Sequence, residues 1–168
     1  PTIIIDFGSV SSDISIYDGG LVTSGTVEGG GADFTKAIQE GLSVTSAEAG
    51  IIKTKYGLSR SKRQSEIQDA LDPVLQKIIK EIKRLVRYHS ERYGADRPIT
   101  QVITLGGGAN MPGLSEYFTS SLRLAVRSCD PCLYVDYQRL QPRTVSPTRF
   151  GERGAGGSQK TSRQSSRV

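Results

Sequence analysis

Two glycine-containing turns, each following an apolar run rich in β-branched residues, constrain this chain more than any other feature. The first run, Thr2 to Ile5, leads into Asp-Phe-Gly, and the second, Ile99 to Leu105, leads into three consecutive glycines that begin at Gly106. Short β-branched runs bounded by glycine predict buried strands that end in tight turns. Helical spacing dominates the sequence between them. The chain is therefore predicted to combine buried strands with helices, an α/β composition.

Several other segments have the spacing of regular secondary structure. Asp13–Tyr17 alternates apolar and polar residues, which predicts a strand that pairs across an Asp-Gly-Gly turn with a return strand. Gln64–Tyr93 is the longest segment with helical spacing, and Pro73 marks either a kink or the start of its helix. Asp33 is placed to cap the first turn of another helix. The remaining predicted elements are helices over Asp33–Gly41, Ser46–Tyr56 and Leu114–Leu122 and strands over Leu21–Val27 and Ala125–Ser128.

The positive charge of the chain is concentrated near its C-terminal end. The 168 residues carry a formal charge of +5, whereas residues 139–168 alone carry +6. The preceding part has no basic excess of the kind that marks a nucleic-acid surface, so no nucleic-acid partner is predicted. From residue 141 onward, Pro, Gly, Ser and Arg predominate, and such a composition buries too little apolar surface to fold. We predict one folded lobe over residues 1–140 and a disordered basic tail over 141–168.

The cysteines and the hydropathy pattern suggest a protein of the reducing cytoplasm. Cys129 and Cys132 form a single C-x-x-C pair, but a zinc site needs two further ligands, and the only histidine, His89, lies in a helical segment. The pair is interpreted as structural or incidental thiols. The longest apolar stretch, Thr2–Ile5, is too short to cross a bilayer, so a membrane role would depend on a partner.

The first turn has the composition of a phosphate-binding loop. Gly8 allows close approach of an anion to the backbone, while Ser9, Ser11 and Ser12 supply hydroxyl and N–H donors on one loop. Asp6, at the end of the strand, is suited to orient a water of hydrated Mg²⁺, because magnesium takes few carboxylates directly. The alternative is a simple hairpin in which the serines satisfy turn amides. Asp6 is the candidate catalytic and, through water, metal-binding residue.

The second turn is suited to lie against the flat face of a ligand. Gly106, Gly107 and Gly108 present bare backbone after a buried strand, Ala109 follows them, and a helix starts after Pro-Gly. A glycine turn alone is weak evidence for a site. The order of the two turns, with a hairpin, a third glycine run and helices between them, is more specific.

This order resembles the superfamily of actin, sugar kinases and heat-shock ATPases. The first turn is similar to its second phosphate-binding loop, and the second turn is similar to its adenosine-binding loop. Between them, GGGADFTKAI resembles the G-G-x-x-x-T segment of the FtsA and PilM families, and PVLQKIIKEIKRLVRYHSERYG with QVITLGGGANMPGLSEYF is closer to PilM. The resemblance covers about residues 3–140 and implies an α/β fold, the second half, one lobe, of the actin-like (ribonuclease H-like) ATPase fold. This lobe is a mixed sheet with flanking helices.

The resemblance also implies roles for individual residues. Lys53 matches a lysine that contacts ribose or base, although the glutamate usual three residues earlier is Gly50, which leaves Glu48 as a replacement. Gly30 and Gly31 would line the same cleft. The residues implied to face the β- and γ-phosphates of ATP and the Mg²⁺ ion are Asp6, Gly8, Ser9 and Ser12, and those implied to face the adenosine are Gly106, Gly107, Gly108 and Ala109.

The function implied is that of a nucleotide-binding scaffold in the cytoplasmic machinery that assembles type IV pili. Such a protein acts at the inner face of the membrane with ATP and an inner-membrane, PilN-like partner. Catalysis is expected to be slow at most, because phosphoryl transfer needs two lobes around the phosphates and the sequence lacks the first phosphate loop. The chain is accordingly expected to be part of a longer protein. The alternatives are an FtsA-like cell-division protein and one lobe of a small-molecule kinase of the same superfamily.

Overall fold

A computed structural model of the chain describes residues 1–94 and 96–129, and these form a five-stranded mixed sheet with flanking helices. The sheet order is β3-β2-β1-β4-β5. The first three strands are antiparallel neighbours, whereas β1, β4 and β5 run parallel. The predicted fold class is confirmed. The strands are β1 (Thr2–Phe7), β2 (Ser11–Tyr17), β3 (Leu21–Glu28), β4 (Gln101–Leu105) and β5 (Ala125–Ser128).

In the described residues, four α-helices accompany the sheet, and they begin and end close to the predicted positions. The first starts at Gly31, two residues earlier than predicted, and Asp33, its third residue, accepts the Gly30 N–H at 3.0 Å. A 3₁₀ turn, Gly107–Asn110, follows β4. The α-helices are α1 (Gly31–Leu42), α2 (Ser46–Lys55), α3 (Gln64–Tyr93) and α4 (Leu114–Leu122).

Helix α3 passes through Pro73 without ending, so the interpretation of Pro73 as the start of the helix is wrong. The proline side of the helix is exposed, whereas Ile67, Leu71 and Leu75 are buried against the sheet and the other helices. Burial of this apolar stripe stabilises the helix enough to offset the hydrogen bond that proline cannot donate.

The core lies between one face of the sheet and the helices. Ile3, Ile5 and Phe7 alternate along β1 and are fully buried. The Phe7 ring is 6.2 Å from the ring of Phe34 on α1 and 5.8 Å from that of Phe118 on α4. Residues of β1 with the opposite orientation are partly or fully exposed. The end of β1 is therefore anchored by aromatic packing directly before its glycine turn.

Some predicted features lie outside the described residues, namely the tail over 141–168 and Cys132. Cys129 is half-buried. His89 is buried on α3 and stacks on Tyr93 with ring centroids 5.0 Å apart.

In the described part of the chain, no helix combines the length and the apolar character needed to cross a membrane.

Candidate functional site

The two glycine turns meet at one edge of the sheet. Strands β1 and β4 are parallel neighbours, and Asp6 on β1 is in register with Leu105 on β4. Because parallel strands end on the same side, the turn that begins at Gly8 and the turn that begins at Gly106 leave the sheet side by side. Ligands of open α/β sheets bind at the carboxyl ends of strands, so this edge is the candidate site.

The first turn is held on the start of α1 by backbone hydrogen bonds. The Gly8 N–H donates to the Ser11 carbonyl at 3.0 Å, and the Gly31 N–H donates to the Gly8 carbonyl at 2.9 Å. The Ala32 N–H donates to the Ser9 carbonyl at 2.8 Å. The contact needs glycine at residue 30, because an added Cβ there would lie 2.5 Å from the Ser9 carbonyl oxygen. The glycine run before α1 thus fixes the shape of the first turn.

The serines of the first turn occupy three different environments. Ser12 is fully buried, and its Oγ donates to the Gly29 carbonyl at 2.5 Å. Ser11 is half-buried at the start of β2, and Ser9 is exposed. Among the described residues, neither the Ser9 nor the Val10 N–H donates to an intrachain acceptor. These two amides are available to an anion, whereas the Ser12 hydroxyl is already engaged. The phosphate roles of the serines stay a prediction.

The second turn packs closely on the end of β1. Gly106 has φ +83, and an added Cβ would contact the Asp6 carboxylate and lie 2.6 Å from the Phe7 carbonyl oxygen. An added Cβ at Gly108 would lie 2.8 Å from the Phe7 Cβ, whereas one at Gly107 would meet no atom within 4 Å. Gly106 and Gly108 are thus required by packing. Gly107 is the glycine that leaves open space beside the turn.

A cleft of about 390 Å³ lies between the two turns and the α1–α2 pair. Its size is within the range of small-molecule sites. Of the predicted site residues, the structure brings six to this cleft: Gly8, Ser9, Gly31, Lys53, Gly107 and Gly108. The predicted residues that do not line it are Asp6, Ser11, Ser12, Gly30, Gly106 and Ala109.

Three residues that line the cleft were not predicted as site residues: Phe7, Ala32 and Thr35. The threonine had a signal in the sequence, since it is the last residue of the G-G-x-x-x-T segment that begins at Gly30. Its hydroxyl donates to the Gly31 carbonyl at 3.0 Å. Phe7 and Ala32 had no comparable signal, because their place in the cleft depends on the long-range contact between the first turn and α1.

Lys53 carries the cationic group of the cleft. Its Nζ donates to the Gly31 carbonyl and to the Thr35 Oγ1, both at 2.8 Å. Partial burial lowers the pKa of Lys53 from its usual value. Glu48 is not among the residues that line the cleft. Its carboxylate accepts the Thr45 N–H at 2.8 Å and caps α2 in a capping box, so the suggested replacement for the missing glutamate is wrong.

Asp6 lies at the same edge of the sheet but outside the cleft. It is exposed and alternates with the buried Phe7, so it belongs to the opposite face of the sheet. Its register partner on β2 is Asp13, which is also exposed and accepts a hydrogen bond from Thr26. In the described residues, no group of three metal-ligating side chains comes together. A divalent cation at this pair would therefore depend on water or ligand oxygens.

Solved structures of actin-like proteins share this fold. The PilM–PilN type IV pilus biogenesis complex matches with a TM-score of 0.64 at 24% identity, covering 83% of this chain and 39% of that one. Ethanolamine utilization protein EutJ from Carboxydothermus hydrogenoformans matches with a TM-score of 0.57 at 23% identity, covering 76% and 43%. MreB 5 of Spiroplasma citri bound to AMPPNP matches with a TM-score of 0.61 at 19% identity, covering 76% and 47%. The chain spans less than half the length of each.

Sequence similarity supports the same relationship. No curated protein matches the chain. The family described as cell division protein FtsA matches residues 3–146, a range that contains both glycine turns, the glycine run before α1 and all four α-helices. The chain therefore belongs to the FtsA family of the actin-like ATPase superfamily.

Proposed function

We propose that this chain is the part of an actin-like ATPase that contacts the nucleotide, with ATP as its ligand. The observation that carries the proposal is the cleft itself, in which two glycine turns from adjacent parallel strands face the ammonium group of Lys53. Glycine turns at strand ends allow phosphates to approach backbone N–H groups, and a lysine adds the positive charge. Residues 1–140 act as one lobe in this proposal.

The residues present fit a nucleoside triphosphate with Mg²⁺. The free amides of Ser9 and Val10 suit a phosphate, while the open backbone at Gly107 suits the flat face of the nucleoside. Asp6 does not line the cleft, but its carboxylate lies against Gly106, the residue before the cleft-lining Gly107. From this position Asp6, with Asp13 opposite it, would hold Mg²⁺ through water beside the cleft. When bound, the ion would neutralise phosphate charge. We also propose that a second lobe closes over the carboxyl ends of β1 and β4, because the cleft there is open in the described part of the chain.

Replacing Lys53 by Met tests the role of the cleft directly. We expect ATP to bind this chain weakly, with a dissociation constant nearer to about 1 mM than 1 μM, because one lobe supplies only part of the contacts. Lys53→Met should weaken binding by about tenfold or more, the effect of losing roughly 1.5 kcal/mol from a charged hydrogen bond. Equilibrium titration with ATP and Mg²⁺ measures both values.

Lys55→Met is the matched control, since Lys55 is an exposed lysine of the same helix outside the cleft. Its affinity for ATP should equal that of the unchanged chain. Submicromolar binding by the unchanged chain would contradict the single-lobe proposal, and equal affinities of the two variants would contradict the role of Lys53.

For the cellular role, we propose a scaffold in the cytoplasmic machinery of type IV pilus assembly, positioned at the inner face of the membrane by a PilN-like inner-membrane partner. The support is the fold shared with PilM in the PilM–PilN complex, together with the residues of α3 and the second turn quoted above. Hydrolysis is slow in this proposal, because the scaffold needs nucleotide mainly to fix the closed arrangement of its lobes.

Deletion of the gene distinguishes this role from the one suggested by the family description, cell division. We expect the deletion strain to lose surface pili while its cells septate normally, as counted by electron and light microscopy. Complementation with the unchanged gene should restore the pili. Undivided filamentous cells that keep normal pili would contradict the pilus role and support a divisome role instead.

A further inference from the structure

A second concave surface lies between β3 and the middle of α3. This groove has a volume of about 860 Å³, more than twice that of the cleft at the glycine turns. Thr26, Val27 and Glu28 form its strand wall, and α3 residues between 76 and 87 form its helix wall. Of the residues that the structure describes, none lines both the groove and the cleft. The groove therefore has no part in the nucleotide site proposed above.

The strand wall of the groove is the open edge of the sheet. Strand β3 is last in the sheet order, and among the described residues it pairs only with β2. It is eight residues long and contains neither proline nor lysine, the residues that commonly protect an edge strand. An unprotected edge of this length presents alternating N–H and C=O groups to which another extended segment can hydrogen-bond.

The helix wall of the groove is strongly basic. The spacing of three and four residues places most of its cations on one face of α3. Among the described residues, only one of these cations forms an ion pair, that of Arg84 with Glu81 at 2.6 Å. Glu28 is the other acidic residue that lines the groove. Within the described part of the chain, the cations that line the groove are Lys77, Lys80, Lys83, Arg84 and Arg87, and with Glu28 and Glu81 they give this lining a net charge of +3.

The edge strand and the basic helix face the same space. An added Cβ at Gly25 of β3 would lie 2.5 Å from the Glu81 Oε1 and 3.5 Å from an Arg84 guanidinium nitrogen. Side chains of α3 thus reach directly over the strand. A segment added to β3 would place alternate side chains beneath these cations, because successive side chains of a strand point to opposite faces.

We propose that this groove binds an acidic, extended segment of a partner protein, which adds to the sheet as a strand beside β3. The acidic side chains of the segment occupy alternate positions and face the cations of α3. The C-terminal part of this chain is an unsuitable occupant, because residues 139–168 carry a charge of +6. A second copy of the chain is disfavoured in the same way, since its groove carries the same positive charge.

A labelled peptide of alternating Glu and Val, as long as β3, is the probe for this proposal. We expect the full chain to bind it at low ionic strength, measured by fluorescence anisotropy, and to release it as salt is added. In amide hydrogen exchange, the peptide should protect backbone N–H groups of β3. Protection of this strand is the specific signature of strand addition, which a merely electrostatic contact does not produce.

A pair of double variants of the chain and a pair of peptides make the test specific. Lys80→Glu combined with Arg87→Glu should weaken binding by about tenfold or more, while Lys55→Glu combined with Lys62→Glu, the same charge change outside the groove, should have little effect. A second peptide, in which Pro replaces two central Val residues, keeps its charge but loses backbone donors. The affinity of the chain for this proline-containing peptide should be lower by about tenfold or more. Unchanged circular dichroism of both double variants confirms that they fold.

Each of the following three outcomes would overturn the proposal. Equal binding of the two peptides means that the groove attracts anions without adding a strand. Binding of phosphatidylserine vesicles without binding of the peptide means that the basic face meets a membrane surface. No binding of the Glu-Val peptide at low ionic strength, with the chain folded, means that the groove is not a peptide site.

Discussion

Gly106→Ala is expected to lower the free energy of unfolding by about 3 kcal/mol. Gly106 has φ +83 and ψ 172, a region of backbone conformation that costs other residues about 1–3 kcal/mol. The added Cβ would also be forced against the Asp6 carboxylate and the Phe7 carbonyl, and relieving such a contact costs about 1–3 kcal/mol more. The exposed Asp6 carboxylate can rotate away, but the Phe7 carbonyl cannot, because it belongs to the backbone of the central strand β1.

Gly107→Ala is the control for this prediction. An added Cβ at Gly107 meets no atom within 4 Å, so the free energy of unfolding should change by less than about 0.5 kcal/mol. Denaturant unfolding followed by circular dichroism compares the two variants with the unchanged chain. Equal midpoints for Gly106→Ala and Gly107→Ala would show that the second turn is not held against β1 in the way described above.

Asp6→Asn is expected to reduce ATP hydrolysis by about two orders of magnitude in the two-lobed protein to which we propose this chain belongs. The substitution keeps the shape and the hydrogen-bonding capacity of the side chain but removes the charge that a hydrated Mg²⁺ requires. Loss of a positioned metal-orienting group typically has an effect of this size. Binding of ATP should weaken less, because the residues that line the cleft are unchanged.

The fold should survive this substitution. Asp6 is exposed, and the change removes one of two carboxylates in register on β1 and β2, which repel each other. Asp69→Asn is the control, since Asp69 is an exposed carboxylate on α3 that does not line the cleft. Equal turnover of Asp6→Asn and the unchanged protein, both folded and saturated with ATP and Mg²⁺, would leave Asp6 as a turn residue without a catalytic role.

Elements with strong local signals could be predicted from the sequence. Helix α3 begins and ends where its apolar spacing does, at Gln64 and Tyr93, because the stripe continues without a break and Gly94 ends it. The five strands were predictable for a similar reason, since short β-branched or alternating runs are bounded by turn residues. The parallel arrangement that brings the turns together was expected only from the resemblance to a known fold.

Features that depend on long-range contacts could not be predicted in the same way. Helix α1 begins at Gly31 because the carbonyls of Gly8 and Ser9 accept its first N–H groups, and no local pattern indicates that contact. Ser12 looks like a loop hydroxyl in the sequence, yet the pairing of β2 buries it against Gly29. The position of Asp13 opposite Asp6 follows from strand register, which residue types alone do not determine.

Amide chemical shifts measured during a titration with ATP and Mg²⁺ show whether nucleotide binds between the two glycine turns. If it does, we expect saturable shifts confined to the cleft, at Gly8, Ser9, Gly31, Gly107 and Gly108, with the β3–α3 groove unaffected. Shifts confined to the basic residues of that groove, or none at the cleft up to about 10 mM ATP, would contradict the proposed site.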